Sequence, residues 1–273
     1  MSLRRVNRAV LYLVLCVFAA GYLMPVYVAL ITSLKPNSEV DLARMWQLPT
    51  RIDLSSWGQA FERLSPGLAT SLELAIPATI IVAIIGACNG YALSKWRFPG
   101  SRTLFQWLLF GMFIPYQSVL IPLLKVMDSI GLYNSVPGLV LVHVIYGLPI
   151  ATLIFRNFYV GIPDDLLEAG RIDGNGYWGL FRSIILPLSV PAFVVIGIWE
   201  FTQVWNEFLF AATLTTPPHQ PVMVALQNLS GSQIVQWNVQ MAGAIMAALP
   251  TLIVYIFLGK YFVRGLLAGS VKG

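Results

Sequence analysis

Residues 69–93 read ATSLELAIPATIIVAIIGACNGYAL, an apolar stretch with one charged side chain, Glu73. A helix needs roughly 20 predominantly apolar residues to cross the hydrocarbon of a bilayer, and this stretch is long enough. Its apolar character is continuous and lacks the two-residue alternation of a barrel strand. The stretch therefore predicts a membrane-spanning helix.

Further stretches of the same kind bring the predicted number of spans to six: 10–31, 69–93, 103–124, 135–155, 184–208 and 239–261. Hydrophobic residues make up 57% of the chain and charged residues 11%, whereas soluble domains carry about 25% charged residues. These values exclude a soluble catalytic domain. We expect an all-α membrane protein with six transmembrane helices.

The connections between the predicted spans differ in charge. One side carries an excess of Lys and Arg: Arg4, Arg5, Arg8, Lys95, Arg97, Arg102, Arg156, Arg171, Arg182, Lys260, Arg264 and Lys272. On the other side cations are nearly balanced by acids, and residues 211–240 have neither Lys nor Arg. Cytoplasmic loops are the ones enriched in Lys and Arg, so both termini are predicted to be cytoplasmic. The net charge of +5 is scattered among loops, which argues against nucleic-acid binding.

Signals for catalysis and metal binding are absent from the sequence. The two cysteines, Cys16 and Cys88, fall inside apolar stretches without metal-ligand spacing. No Gly-x-x-x-x-Gly-Lys-Ser/Thr segment occurs, so the chain is not expected to hydrolyse ATP. We predict no catalytic residue, no metal site and no cofactor bound by this chain.

A charged connection, residues 158–182, carries the main functional signal. Its segment 161–174 reads GIPDDLLEAGRIDG, with Pro163 and two acids suited to the start of a helix. Leu166, Leu167, Ala169 and Ile172 give it a short apolar face, and Asp173-Gly174 is a turn sequence. We predict a short helix at about 163–178. From these residues alone, it is either a docking helix for a soluble partner or an amphipathic connector resting on lipid headgroups.

This segment resembles the signature loop of binding-protein-dependent ABC importer permeases. The family signature runs Glu-Ala-Ala, two residues, Asp-Gly-Ala, and ends in Leu-Pro; here residues 168–174 read EAGRIDG, and Leu186-Pro187 follows at the intact spacing. Gly170 and Asn175 stand where the signature has alanine. Both are small residues, and we expect the helix to end less firmly.

The resemblance extends over nearly the whole chain, to the second permease subunit of the carbohydrate branch. The matching segments are Pro25-Val-Tyr, Ser33-Leu-Lys-Pro, the stretch 91–100 (YALSKWRFPG), Trp205-Asn-Glu-Phe-Leu209 and the tail 261–273 (YFVRGLLAGSVKG). Several independent segments agree in order and spacing, which makes a chance match very unlikely.

The resemblance implies a type I ABC importer fold and an assembly. The implied partners are a sister permease, two cytoplasmic ATPase subunits that bind ATP and Mg²⁺, an external solute-binding protein, and membrane lipid. The 168–187 loop would couple the chain to the ATPase. The residues implied in coupling are Leu166, Leu167, Glu168, Ala169, Gly170, Asp173 and Gly174. The implied location is a bacterial or archaeal cell membrane, the inner one in Gram-negative cells.

Three regions follow from this assignment. Residues 1–67 would hold the first span and an external loop, residues 68–262 the transmembrane domain, and residues 263–273 a cytoplasmic tail. The function implied is import of a sugar or oligosaccharide. Alternatives are a non-sugar solute such as a polyol or glycerophosphate, or a secondary transporter, which would leave the inner loop without a role.

Polar residues inside predicted spans are candidates for the transport path, because ionisable groups there usually face a cavity. Helical spacing places Glu200, Gln203 and Glu207 near one face, with Trp199, Trp205 and Asn206 beside them. The alternative is an ordinary belt of aromatic and charged residues at the outer end of the span. Asn89 and Gln117 are further path candidates, although, like His143, they suit interhelical hydrogen bonds better.

Overall fold

The computed structural model describes residues 3–96, 98–231 and 235–270, and it is helical without a β-strand in those ranges. The helices are α1 (Leu3–Ser33), α2 (Ser55–Lys95), α3 (Ser101–Phe110), α4 (Tyr116–Ser129), α5 (Val136–Val160), α6 (Asp164–Ile172), α7 (Tyr177–Leu180), α8 (Leu186–Leu188), α9 (Val190–Asn206), α10 (Leu209–Leu214), α11 (Val222–Ser230) and α12 (Trp237–Ser270). Short 3₁₀ turns occupy Asn37–Glu39, Leu42–Arg44 and Gly111–Phe113, and a π-helical turn, Phe181–Ile185, joins α7 to α8. The all-helical prediction is confirmed for these residues.

Four helices of the described chain are long and apolar enough to cross a membrane: α1, α2, α5 and α12. Two bent pairs bring the number to six if each pair is one span, namely Ser101–Phe113 with Tyr116–Ser129 and Tyr177–Leu188 with Val190–Asn206. The sequence predicts a continuous helix at both places. The spans at 103–124 and 184–208 are instead broken.

Prolines account for both breaks. The bend of 98° in the first pair falls at Ile114 and Pro115, where Ile114 is extended with ψ of 115°. A residue that precedes proline is driven out of the helical region, and proline has no N–H to donate. The second pair bends by 73° at Ser189, between Pro187 and Pro191. Proline-containing α2, with Pro66 and Pro77, stays one helix.

The chain separates into two compact units. The first comprises Met1–Ser65 and Ala225–Leu249, and the second comprises Pro66–Val224 and Pro250–Gly273. Residues 225–249, which the sequence-based division assigns to the transmembrane domain at 68–262, therefore pack with the N-terminal part. Helix α12 continues to Ser270, so the predicted tail at 263–273 is helical up to that residue, and 271–273 lie outside the described residues.

The first unit is held by a hydrogen-bonded loop as well as by apolar contacts. Lys35 is buried and donates from Nζ to the carbonyl of Arg44 over 2.8 Å. The side-chain amide of Asn238 donates to the Lys35 carbonyl, and the Ser56 hydroxyl donates to the Ser33 carbonyl. The Ser33-Leu-Lys-Pro segment thus fixes the loop that follows α1.

The second unit is built where α2 and α5 approach closely. A Cβ placed at Gly86 would lie 2.7 Å from the Ala151 Cβ, and one at Gly90 would lie 2.6 Å from the Phe155 Cβ. The small residues Gly86 and Gly90 on either side of Asn89 therefore let the two helices approach. Aromatic and aliphatic side chains extend this core toward α7 and α9, among them Val82, Tyr91, Tyr159, Leu167, Leu180, Ile185 and Ile196.

Candidate functional site

Helix α6 is the predicted short helix of the inner loop, and its ends follow from its sequence. Asp164 and Asp165 occupy the first turn and Arg171 the last, which suits the helix dipole at each end. The sequence predicts Pro163 in the first turn. In the structure it is the N-cap residue, one position earlier. The helix is therefore shorter than predicted and stops at Ile172.

The C-terminal end of α6 is a Schellman turn. The Asn175 N–H donates to the Gly170 carbonyl over 3.0 Å, and the Gly174 N–H donates to the Arg171 carbonyl over 3.0 Å. Gly174 has a φ of +85°, a conformation that favours glycine because side chains with a Cβ are strained there. The Asn175 side-chain amide adds a bond to the Gly170 carbonyl. The expectation of a looser helix end at Asn175 is wrong.

One face of α6 packs against its own chain. Leu167 is 3% exposed, and Gly170 is buried where a Cβ would lie 2.6 Å from Ile184 Cδ1 and 2.7 Å from Leu180 Cδ2. Glycine at this signature position therefore allows close packing on the chain that leads to α9. Leu167 and Gly170, which the resemblance places among the coupling residues, both face inward in the structure.

The opposite face of α6 is exposed and carries both apolar and acidic side chains. Leu166, Glu168, Ala169 and Asp173 point to solvent, so the structure leaves these four predicted coupling residues accessible. Ile172 is 87% exposed and Trp178, just beyond the turn, is 65% exposed. Sequence reasoning did not single out Trp178 as a candidate for this surface. The only signal for it is a tryptophan near a predicted surface helix.

The start of α6 is tied to the end of α2. Lys95 Nζ lies 2.6 Å from Asp164 Oδ1 and donates to the Ile162 carbonyl over 2.6 Å. The Lys95 side chain is only 8% exposed. The Asp164 side chain is 62% exposed, so the ion pair itself is screened by water and contributes little. The Lys95 bond to the Ile162 carbonyl adds a second contact at the start of α6, and α6 is therefore held at both ends.

A second candidate site is a cavity of about 610 Å³ within the second unit, here called the polar cavity. Side chains from α5, α9 and the Glu207–Phe210 segment line it. The lining includes the predicted path residues Trp199, Glu200, Gln203, Asn206 and Glu207, together with Tyr116, His143, Tyr146, Gly147 and Phe210. A partly enclosed space with aromatic walls and a few polar groups is the usual form of a small-molecule site.

Glu200 is the most buried acid of the polar cavity, at 3% exposure. It reaches this position because Gly147 on α5 has no side chain: a Cβ there would lie 2.5 Å from Glu200 Oε1. The glycine and the carboxylate thus form one contact between α5 and α9. Sequence reasoning found Glu200 but missed Gly147, because the two meet only in the fold.

Glu207 does not share a helix with Glu200, contrary to the sequence-based expectation. Helix α9 ends at Asn206, and Glu207 is extended with ψ of 130°. Its carboxylate accepts the Phe210 N–H over 2.7 Å and the Ala211 N–H over 3.2 Å, which caps α10. Glu207 Oε2 also lies 3.8 Å from His143 Nε2. Glu207 still lines the polar cavity while stabilising the start of α10.

Three predicted path residues lie elsewhere. Trp205 is buried and stacks on Phe201 with centroids 5.6 Å apart. Asn89 is half-buried on α2, and Gln117 is exposed on α4. None of the three lines the polar cavity. Their polarity in a predicted span was not enough to place them there.

Comparison with known proteins gives consistent matches. Residues 75–267 match the family model described as binding-protein-dependent transport system inner membrane component. A probable ABC transporter permease of Pyrococcus horikoshii is 44% identical over 99% of this chain and 100% of that protein. A xylose/arabinose import permease of Haloferax volcanii is 34% identical over 97% of this chain and 93% of that protein.

A solved structure shows a similar fold. One chain of a bacterial ABC transporter involved in the import of the acidic polysaccharide alginate superposes with a TM-score of 0.83 at 24% identity, over 96% of this chain and 99% of that chain. At this identity the likeness concerns the fold. The chain therefore shares its overall helical fold with an experimental structure.

Proposed function

Because the chain belongs to the family of binding-protein-dependent transport system inner membrane components, we propose that it is a permease subunit of an ATP-driven importer for a sugar or oligosaccharide. The observation that carries this proposal is α6, a short helix fixed at both ends whose outer face presents Leu166 and Ile172 to solvent. Exposed apolar side chains on a rigid element are typical of a docking surface.

The proposed role of α6 is mechanical coupling. ATP and Mg²⁺ bind to two partner ATPase subunits, and the outer face of α6, with Trp178, docks on one of them. Through Leu167 and Gly170, α6 contacts Leu180 and Ile184, which precede α9. A movement of the ATPase is thereby passed to a helix that lines the polar cavity, as in rigid-body switching between two states.

The proposed translocation path includes the polar cavity and is completed by a sister permease. Carboxylate, amide and aromatic groups from Glu200, Gln203 and Trp199 share one space. Sugars present hydroxyl groups for hydrogen bonds and an apolar ring face for aromatic contact. The named sugar permease among the relatives supports the same substrate class. An external solute-binding protein would deliver the sugar.

Substitutions of Gly147 and Glu200 test whether the polar cavity is part of the translocation path. Gly147→Ala places a methyl group against the Glu200 carboxylate and should weaken apparent sugar affinity or slow uptake. The matched control is Gly197→Ala on the same helix as Glu200, because a Cβ at Gly197 meets nothing within 4 Å in this chain. Uptake that is normal in both Gly147→Ala and Glu200→Ala would remove the polar cavity from the path.

Reconstitution tests the overall function. The chain is placed in vesicles with the sister permease, the ATPase subunits and the solute-binding protein of its own organism, and uptake of labelled sugars is measured. We expect uptake only with ATP, and no ATP hydrolysis by the purified chain alone, since its sequence has no phosphate-binding loop. ATP-independent accumulation, or hydrolysis by the single chain, would contradict the proposal.

A further inference from the structure

A separate cavity lies beside α6 and has a different character from the polar cavity. It measures about 610 Å³ and is enclosed by the end of α2, the start of α3, the end of α5 and one side of α6. Its charged lining residues are Lys95, Arg102, Arg156, Asp164, Glu168 and Arg171. Four cations thus face two carboxylates, and we call this space the basic cavity.

One of the two carboxylates in the basic cavity is already engaged. Asp164 is paired with Lys95 at 2.6 Å. In the described part of the chain, no carboxylate oxygen lies within 4.0 Å of a nitrogen of Arg102, Arg156 or Arg171. Glu168 lines the same space but forms no such pair there. Three guanidinium groups therefore line the cavity without an ion-pair partner among the described residues.

Arg156 is the best positioned of the three. Its Nε donates to the Leu93 carbonyl over 3.3 Å, and its guanidinium lies 4.3 Å above the Phe105 ring. These contacts hold the plane of the group at the wall of the cavity. A held guanidinium presents its terminal N–H groups as a fork, the geometry that matches phosphate oxygens in pairs.

We propose that the basic cavity binds a phosphate-bearing anion, with Arg102, Arg156 and Arg171 as its ligands. The volume exceeds that of one phosphate and leaves room for an attached alcohol. The chemistry fits either the headgroup of an anionic phospholipid or a soluble phosphate. A bound anion would bridge α2, α3, α5 and α6, so it would stiffen the support of α6. That this happens at the cytoplasmic face rests on the proposed topology.

The test uses the full-length chain in nanodiscs and reads thermal stability. In neutral phosphatidylcholine discs, sodium phosphate is titrated against sodium chloride at equal ionic strength. In a second arm, phosphatidylglycerol replaces part of the lipid. We expect a rise in the thermal midpoint in at least one arm: with free phosphate if the ligand is soluble, with phosphatidylglycerol alone if it is a lipid headgroup. No rise in either arm overturns the proposal.

Variants locate the effect. Arg102→Gln and Arg171→Gln, whose side chains are exposed at the cavity edge, should each weaken the apparent affinity by about tenfold, the loss expected for a charge-assisted hydrogen bond. Arg156→Gln should do the same but also loses packing on Phe105, so the first two variants carry the test. Arg182→Gln, exposed and outside the lining, is the matched control. An equal loss in Arg182→Gln, or unchanged affinity in both edge variants, would refute the site. Neither uptake nor ATPase association enters these measurements, so their failure is separate from failure of the proposed function.

Discussion

Gly174 shows how one residue determines the direction of the chain after α6. Its φ of +85° closes the Schellman turn, while the space around its missing Cβ is open. A side chain there strains the backbone by roughly 1 kcal/mol, without a clash inside this chain. This backbone strain therefore changes the geometry of the turn more than it lowers the stability of the core.

We expect Gly174→Leu to abolish sugar uptake and ATPase co-purification while the protein keeps its normal abundance. Gly174→Asn should retain much of the activity, because asparagine adopts this conformation more readily. Gly176→Leu is the matched control, since Gly176 has φ of −77° and a Cβ there meets nothing within 4 Å. If Gly174→Leu and Gly176→Leu behave alike, backbone strain is not the cause.

A second residue-level prediction concerns Glu39 in the loop after α1. The pKa of Glu39 is lowered below its ordinary value of 4.5, first by the hydrogen bond from the Thr50 hydroxyl and then by that from the Thr50 N–H. A carboxyl whose pKa is lowered by folding stabilises the fold above its unfolded pKa, and this contribution is lost as the pH falls through the folded pKa.

Thr50→Val removes the hydroxyl and should flatten the fall in thermal midpoint between about pH 6 and about pH 3. The comparison is with the wild type in the same detergent. Superimposable pH curves for the wild type and Thr50→Val would show that this bond contributes nothing to the pH dependence.

At the level of the element, α6 has a buried face and an exposed face, and the adjacent residues Leu166 and Leu167 lie on different faces. Leu167 is buried in the chain's own core, whereas Leu166 is 46% exposed. Truncating a buried leucine costs about 2–5 kcal/mol, and truncating an exposed one costs little. Leu167→Ala should therefore lower the stability of the isolated chain, and Leu166→Ala should not.

For binding to the ATPase we expect Leu166→Ala, rather than Leu167→Ala, to have the direct effect. We expect Leu166→Ala to weaken co-purification with the ATPase at unchanged thermal midpoint, because it removes apolar area from the docking surface. The two variants are measured side by side for both properties. A Leu166→Ala protein with full ATPase association, or a Leu167→Ala protein as stable as the wild type, would contradict this division of α6.

Helices were predicted correctly from the sequence where a single local signal determined them. Continuous apolar stretches located α2 and α5, and acids after Pro163 located α6. Prediction failed where two signals competed: the apolar stretch at 103–124 hid the break that Pro115 imposes, and helical spacing placed Glu207 on α9 although that helix ends at Asn206. Gly147 could not be found, because its role depends on a glutamate from another helix.

For the whole molecule, the charge asymmetry of the loops predicts a topology that labelling can test. In a variant with Cys16→Ser and Cys88→Ala, a membrane-impermeant thiol reagent applied to intact cells should label Ser55→Cys and leave Ser183→Cys unlabelled. Both serines are exposed in the structure. After permeabilisation both should react. Labelling of Ser183→Cys alone in intact cells would invert the orientation and place α6 outside.

The attachment of α6 at both ends has a mechanical consequence. One end is fastened by the Lys95–Asp164 ion pair and the other by the tight Leu180 and Ile184 contact at Gly170. A short helix held at both ends cannot rotate freely, so a force on its outer face tilts it about the end with the stronger contacts. The Lys95–Asp164 ion pair weakens in concentrated salt, whereas the apolar contact at Gly170 does not. At high salt α6 should therefore be held mainly by its apolar contact, and its movement should be transmitted less completely. ATP hydrolysis would then proceed with less sugar moved for each ATP.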